Sequence, residues 1–137
     1  MFANPPMEKI CALLRQTHTI AVVGLSPNPT RPSHRIARGL QSRGFRVIPV
    51  RPLVETILDE KAYARLAEVQ APIDLVNIFR TARELDPIID DCLALGLPRI
   101  WIQEGIVNDR AAERALAGGI EVVMNRCIWR DLNGGCA

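Results

Sequence analysis

Short apolar runs alternate along the chain with longer segments whose apolar residues recur at helical spacing. TIAVVG (19–24), FRVIPV (45–50), IDLVNIF (73–79), RIWIQ (99–103) and IEVVM (120–124) are rich in Val and Ile. Several are apolar at consecutive positions, the pattern of strands covered on both faces by helices. They predict five strands.

Helices are expected between them. From Pro32 to Arg43, Ile36, Ala37 and Leu40 share a face, and Gly44 supplies the stop. From Ala82 to Leu95, the apolar positions Leu85, Ile88, Ile89, Cys92 and Leu93 precede Gly96. A third helix runs from an Asn108 cap through Ala117 to Gly118-Gly119. An opening helix from Pro6 to Gln16 turns Ile10, Leu13 and Leu14 inward and is expected over one edge of the sheet. Leu53 to Val69 is the least regular stretch, with a short extended piece expected near Thr56–Leu58 and a helical turn near Tyr63–Glu68. The tail WRDLNGGCA is expected to fray at its end.

Strand–helix alternation at this spacing calls for parallel pairing with right-handed crossovers. The fold class is therefore α/β: a single Rossmann-like, doubly wound five-stranded parallel sheet of expected order 3-2-1-4-5. At 137 residues the chain makes one domain, with a core at about residues 5–130. Ligands of such sheets bind outside the carboxyl ends of the strands, where strand order reverses. That point lies beside the end of the first strand.

Each strand end offers its own chemistry. After the first comes AVVGLSPNPTRPSHR (21–35), which opens like a phosphate-binding turn but lacks the further glycines of G-x-G-x-x-G. Gly24 allows a tight turn and close approach to the backbone, with Leu25 and Ser26 following it. The helix starting near Pro32 or Ser33 points free amides into the crevice, where anions are favoured, and Arg31, Ser33, His34 and Arg35 add donors. At the second end, Val50 leads into Arg51, where a NAD site would carry Asp or Glu for the ribose hydroxyls. An arginine there suits a ribose phosphate instead, which leaves NADP or coenzyme A. At the third, Phe79 could cover an adenine or a pantetheine arm, and Arg80 adds a cation. At the fourth, Gln103 and Glu104 stand before Gly105. At the fifth, Arg126 and Cys127 flank the crevice. No catalytic constellation and no metal-ligand spacing emerges.

Charge sharpens this picture. Residues 1–51 carry eight Lys/Arg against one acid, whereas the rest of the chain is net acidic. A basic first third attracts phosphate-bearing ligands. Nucleic acid is not expected, because both tryptophans and the single tyrosine lie outside the basic part. No apolar run approaches the ~20 residues that span a bilayer, and Met1 to Lys9 lacks a signal-peptide layout. A cytoplasmic location is the expectation. Cys11, Cys92, Cys127 and Cys136 form no C-x-x-C pair and are expected as reduced thiols.

These residues together resemble the small stand-alone CoA-binding family, Rossmann-like domains related to the CoA-binding domain of the succinyl-CoA ligase α subunit. VVGLSPNPTRPSHRIARGL is close to that family's G-x-S-x-x-x-x-R-P-S-x-x-[VI] pattern. VIPVRP matches an expected V-I-P-V-N-P with Arg51 in place of Asn, and WIQEGIVN and VVMNRC also correspond, with Asn125 where Asp is usual. The resemblance implies coenzyme A lying along the strand ends. Its adenosine and phosphates would sit near residues 24–35 and 49–52, on Gly24, Ser26, Arg31, Ser33, Val50, Arg51, Phe79 and Gly105. The related ligases act through a phosphorylated histidine on a separate domain, which this chain lacks. The expected function is thus binding of coenzyme A or an acyl-CoA without catalysis by this chain alone. The alternatives are an NADP-dependent oxidoreductase module and a CoA-sensing regulatory subunit that works through a partner or a second copy.

Overall fold

The computed structural model describes all 137 residues. The main sheet holds β1 (Thr19–Val23), β2 (Arg46–Val50), β5 (Leu75–Ile78), β6 (Arg99–Gln103) and β7 (Glu121–Arg126). A two-stranded antiparallel piece, β3 (Thr56–Ile57) with β4 (Glu60–Lys61), lies beside β2 and leads into Tyr63. The helices are α1 (Met7–Arg15), α2 (Pro32–Ser42), α3 (Leu85–Leu95), α4 (Asp109–Ala117) and α5 (Ile128–Asn133), with 3-10 turns at Leu66–Glu68 and Ala82–Glu84. No helix is long and apolar enough to cross a membrane.

All five main strands pair in parallel, in the order β2-β1-β5-β6-β7. The α/β class and the Rossmann-like parallel sheet are as expected. Outside β2, Tyr63 bridges Val50 in parallel, its amide donating to the Pro49 carbonyl and its carbonyl accepting the Arg51 amide. With that extended piece as the third strand the order follows 3-2-1-4-5, and the direction change falls beside the end of β1. Leu66 from the β2–β5 connection packs with α3 and α4 on one face of the sheet. On the other, α1 and α5 pack with α2 on Ile20, Val22, Leu75, Trp101 and Val123.

The opening helix covers this face rather than a sheet edge, with Ile10, Leu13 and Leu14 buried. The tail is ordered rather than frayed. Ile128 is fully buried, Leu132 nearly so, and the Trp129 ring fills the gap over Gly39, where an added Cβ would come within 2.9 Å of it. Cys11 and Cys136 are joined by a disulfide, with 5.2 Å between their Cα atoms. The expectation of four reduced thiols is therefore corrected for this pair. The α1–α5 packing brings together two residues 125 apart in sequence. Cys92 and Cys127 are free.

Candidate functional site

Gly24 follows β1 at φ +85°, a left-handed conformation that disfavours any side chain. A Cβ there would lie 2.5 Å from the Phe79 carbonyl oxygen and 2.8 Å from the Arg80 Cδ. The glycine therefore lets the ends of β1 and β5 close on each other.

The loop from Leu25 to Arg31 is tied from within. The Ser33 hydroxyl accepts the Ser26 amide at 3.0 Å, and His34 Nδ1 donates to the Ser26 carbonyl at 2.9 Å. The Ser26 hydroxyl accepts the Asn28 amide, and Asn28 Oδ1 accepts from both the amide and the hydroxyl of Thr30. Pro32 opens α2, no side chain caps it, and its first turn holds no acid. The amides of Leu25 and Ser33 find no acceptor in the protein. They stay free for a ligand oxygen.

Beside this turn lies a cleft of about 680 Å³ across the carboxyl ends of the sheet. Gly24, Ser26, Arg31, Ser33, Arg51, Phe79 and Gln103, all named from the sequence, line it. The other named residues lie just off it. Leu25 and Val50 are buried in the core. His34 is turned to Ser26, and Arg80 packs its stem on Gly24 while its guanidinium pairs with Glu84. Gly105 donates its amide to Asn125 Oδ1 at 2.8 Å. Asn125 has φ +60°, which an amide side chain tolerates better than most, and so braces the turn that presents Gln103 and Glu104.

Charge divides the cleft. At the β1–β2 end stand Arg31, Arg35 and Arg51, none with a carboxylate in ion-pair reach. Arg51 reaches the Leu25 carbonyl at 3.4 Å, and Arg35 donates to the Thr30 carbonyl at 2.9 Å. At the β6–β7 end, Arg130 of α5 pairs with Glu104. The hydrogen bond from Arg130 holds the Glu104 carboxyl below its ordinary range. Arg126 is neutralised by Asp131 at 2.6 and 2.8 Å. Cys127 is half-buried and faces the cleft.

Beneath Gln103 lies a buried polar patch. The fully buried Asn77 sends Nδ2 to the Trp101 carbonyl and to Gln103 Oε1, both at 3.4 Å, and Gln103 Oε1 also accepts the Ile128 amide at 3.4 Å. Asn77 Oδ1 has no partner. Gln103 is thus held as the cleft floor.

Besides Arg35, which the sequence offers as a donor, the cleft is lined by Pro32, Ile36, Glu104, Ile106, Cys127 and Arg130, to which the sequence assigns no contact. Glu104 and Cys127 stand at strand ends, so the strand-end rule reached them without assigning a role. Arg130 carries no sequence signal, because it lies in a helix beyond the last strand end. Ile36 has the spacing of a core residue and lies one turn from the helix start, which lets it reach the cleft instead.

The family model described as the CoA binding domain matches residues 18–133. The uncharacterized protein YneT of Bacillus subtilis (strain 168) is 38% identical over 125 residues, covering 91% of this chain and 93% of its own. The solved structure of cell-free ID.343 from Thermus thermophilus is similar at a TM-score of 0.89 and 32% identity, over 93% of this chain and 97% of that one. The dinucleotide-forming acetyl-coenzyme A synthetase 1 of Ca. Korarchaeum cryptofilum, without ligand, is similar at a TM-score of 0.72 and 27% identity, over 82% of this chain and 28% of that one.

Proposed function

The chain belongs to the CoA binding domain family, and from that premise we propose that it binds coenzyme A or an acyl-CoA across the carboxyl ends of its sheet, without catalysis by this chain alone. One observation carries the proposal: three guanidinium groups without carboxylate partners converge with the free amide of Ser33 at the α2 start on one end of the cleft. Cations left unpaired beside a helix start repel one another until an anion joins them.

The remaining lining suits the rest of such a molecule. Neighbouring strands stand ~4.8 Å apart, so β1 and β7, three steps apart, are separated by ~14 Å and β2 and β7 by ~19 Å. A ligand whose phosphates sit on Arg31, Arg35 and Arg51 must be long to reach Gln103, Cys127 and Arg130. Coenzyme A has that form, with a charged nucleotide head and an extended arm ending in a thiol. Phe79 stands between the two ends and offers an apolar surface to the arm or the base.

Arg51 would suit the ribose phosphate of NADP as well. Calorimetric titration with each separates them. Coenzyme A is expected to bind with one-to-one stoichiometry and NADP at least tenfold more weakly, about 1.4 kcal/mol. Tighter binding of NADP would favour the oxidoreductase module and overturn the proposal.

A further inference from the structure

A second cleft, of about 450 Å³, opens at the other end of the sheet, where His18 precedes β1 and Phe45 precedes β2. Cys11 and Cys136, the two halves of the disulfide, both line it, with Arg15, Thr17, His18 and Arg43. Its charged lining is cationic throughout. Neither Arg15 nor Arg43 has a carboxylate in ion-pair reach, and the one side-chain partner of Arg43 is the neutral Asn133 Oδ1. We propose that this cleft is a thiol–disulfide exchange site, in which the Cys11–Cys136 bond reacts with an anionic low-molecular-weight thiol.

The chemistry follows from exposure and charge. Cys11 sits on α1 and is 8% exposed, whereas Cys136 lies beyond the end of α5 and is half-exposed. An incoming thiolate therefore attacks the Cys136 sulfur. A new bond forms between the two sulfurs, the Cys11–Cys136 bond breaks, and Cys11 leaves as a thiolate that then takes a proton. A second thiol attacks the mixed disulfide at the incoming thiol's own sulfur. It releases that thiol as its symmetrical disulfide and leaves Cys136 reduced, so two thiols are oxidised for each protein disulfide reduced. Run backwards, the symmetrical disulfide is the oxidant that closes the bond. Arg15 and Arg43 draw the anionic reagent in and favour the thiolate that leaves.

The other cysteines take no part. Cys92 is fully buried and Cys127 faces the ligand cleft on the far side of the sheet. The exchange site does not depend on coenzyme A binding, though its state reaches the ligand cleft. Residues 134–136 tie the end of α5 to α1, and α5 carries Arg130 into the cleft wall.

The test compares reduced glutathione, which is anionic, with neutral 2-mercaptoethanol on protein purified without reductant. Each rate of disulfide opening is normalised to the rate of the same reagent on a small unstructured disulfide. Glutathione is expected to hold an advantage of about three- to tenfold at low ionic strength. High salt, or the double change Arg15→Gln with Arg43→Gln, should remove it. Mass spectrometry gives a second readout. Oxidised glutathione should add to Cys136 in Cys11→Ser, and should not add to Cys11 in Cys136→Ser. Equal normalised rates, the reverse adduct pattern, or purified protein lacking the disulfide would each overturn the proposal.

Discussion

The Ser33 hydroxyl accepts the Ser26 amide at 3.0 Å, across the seven positions that separate the two residues. With His34 Nδ1 on the Ser26 carbonyl, both backbone groups of Ser26 are held by the first turn of α2. Two polar residues that look like ligand donors in the sequence thus serve first to fix the loop that receives the ligand. Ser33→Ala should lower the unfolding free energy by about 1 kcal/mol, the worth of one hydrogen bond. His34→Ala, which also removes a buried ring, should cost about 1–3 kcal/mol. Urea denaturation midpoints at constant slope measure both, and unchanged midpoints would show the loop to be held by its prolines alone.

Cys127 and Cys92 should differ sharply as nucleophiles. Burial pushes the Cys92 thiol up to about 12, so it stays protonated and inert at neutral pH. Cys127 lines the cleft and is accessible. Iodoacetamide on the oxidised native protein should label Cys127 alone, and saturating coenzyme A should slow that labelling severalfold. Labelling of Cys127 at the same rate with and without coenzyme A would mean that the ligand does not reach the β7 end.

Reduction should destabilise the fold. The Cys11–Cys136 bond closes a loop of 125 residues, and loss of so long a constraint on the unfolded chain costs about 2–5 kcal/mol. Urea titration with and without reductant measures it. Cys11→Ser should behave as the reduced protein does and be indifferent to reductant.

Acid should weaken the sheet through Asp74. Burial pushes its carboxyl up, but hydrogen bonds from the Thr19 and His18 amides, with the charges of His18 and Arg99, outweigh burial and hold it below its ordinary 3.8. A carboxylate whose folded pKa is depressed stabilises the fold fully above the unfolded value, and loses that contribution as pH falls through 3.8 and below. Asp74→Asn should therefore be less stable than the parent at neutral pH, with the gap closing in more acid solution. A gap independent of pH would remove the carboxylate charge from the explanation.

The strands were legible because runs of Val and Ile with no polar face leave no other placement. Their order was legible too, because right-handed crossovers put the reversal beside β1. The piece outside β2 was not, since it is a single bridge at Tyr63 within an irregular stretch. The tail misled because its polar residues and paired glycines hide three anchors: Ile128, Leu132, and Trp129 against Gly39. The disulfide follows from the same packing and has no local signature. At the cleft, strand-end position identified Gly24, Ser26, Arg51, Phe79 and Gln103, since the parallel sheet delivers those ends to one crevice. Arg130 comes from helix α5 beyond the last strand, so no strand-end rule could reach it. Arg80 showed the opposite failure, as a cation at the right strand end whose nearest acid, Glu84, lies one helical turn on and claims it.

The account turns on guanidinium groups reading a phosphate on the ribose. Calorimetry with coenzyme A and dephospho-coenzyme A, on the parent and on Arg51→Gln, tests this most directly. The parent should bind dephospho-coenzyme A more weakly by about 1.5–3 kcal/mol, the worth of a hydrogen bond to a charged group. Arg51→Gln should bind both forms with nearly the same, weaker affinity. Equal binding of the two forms by the parent would contradict the account.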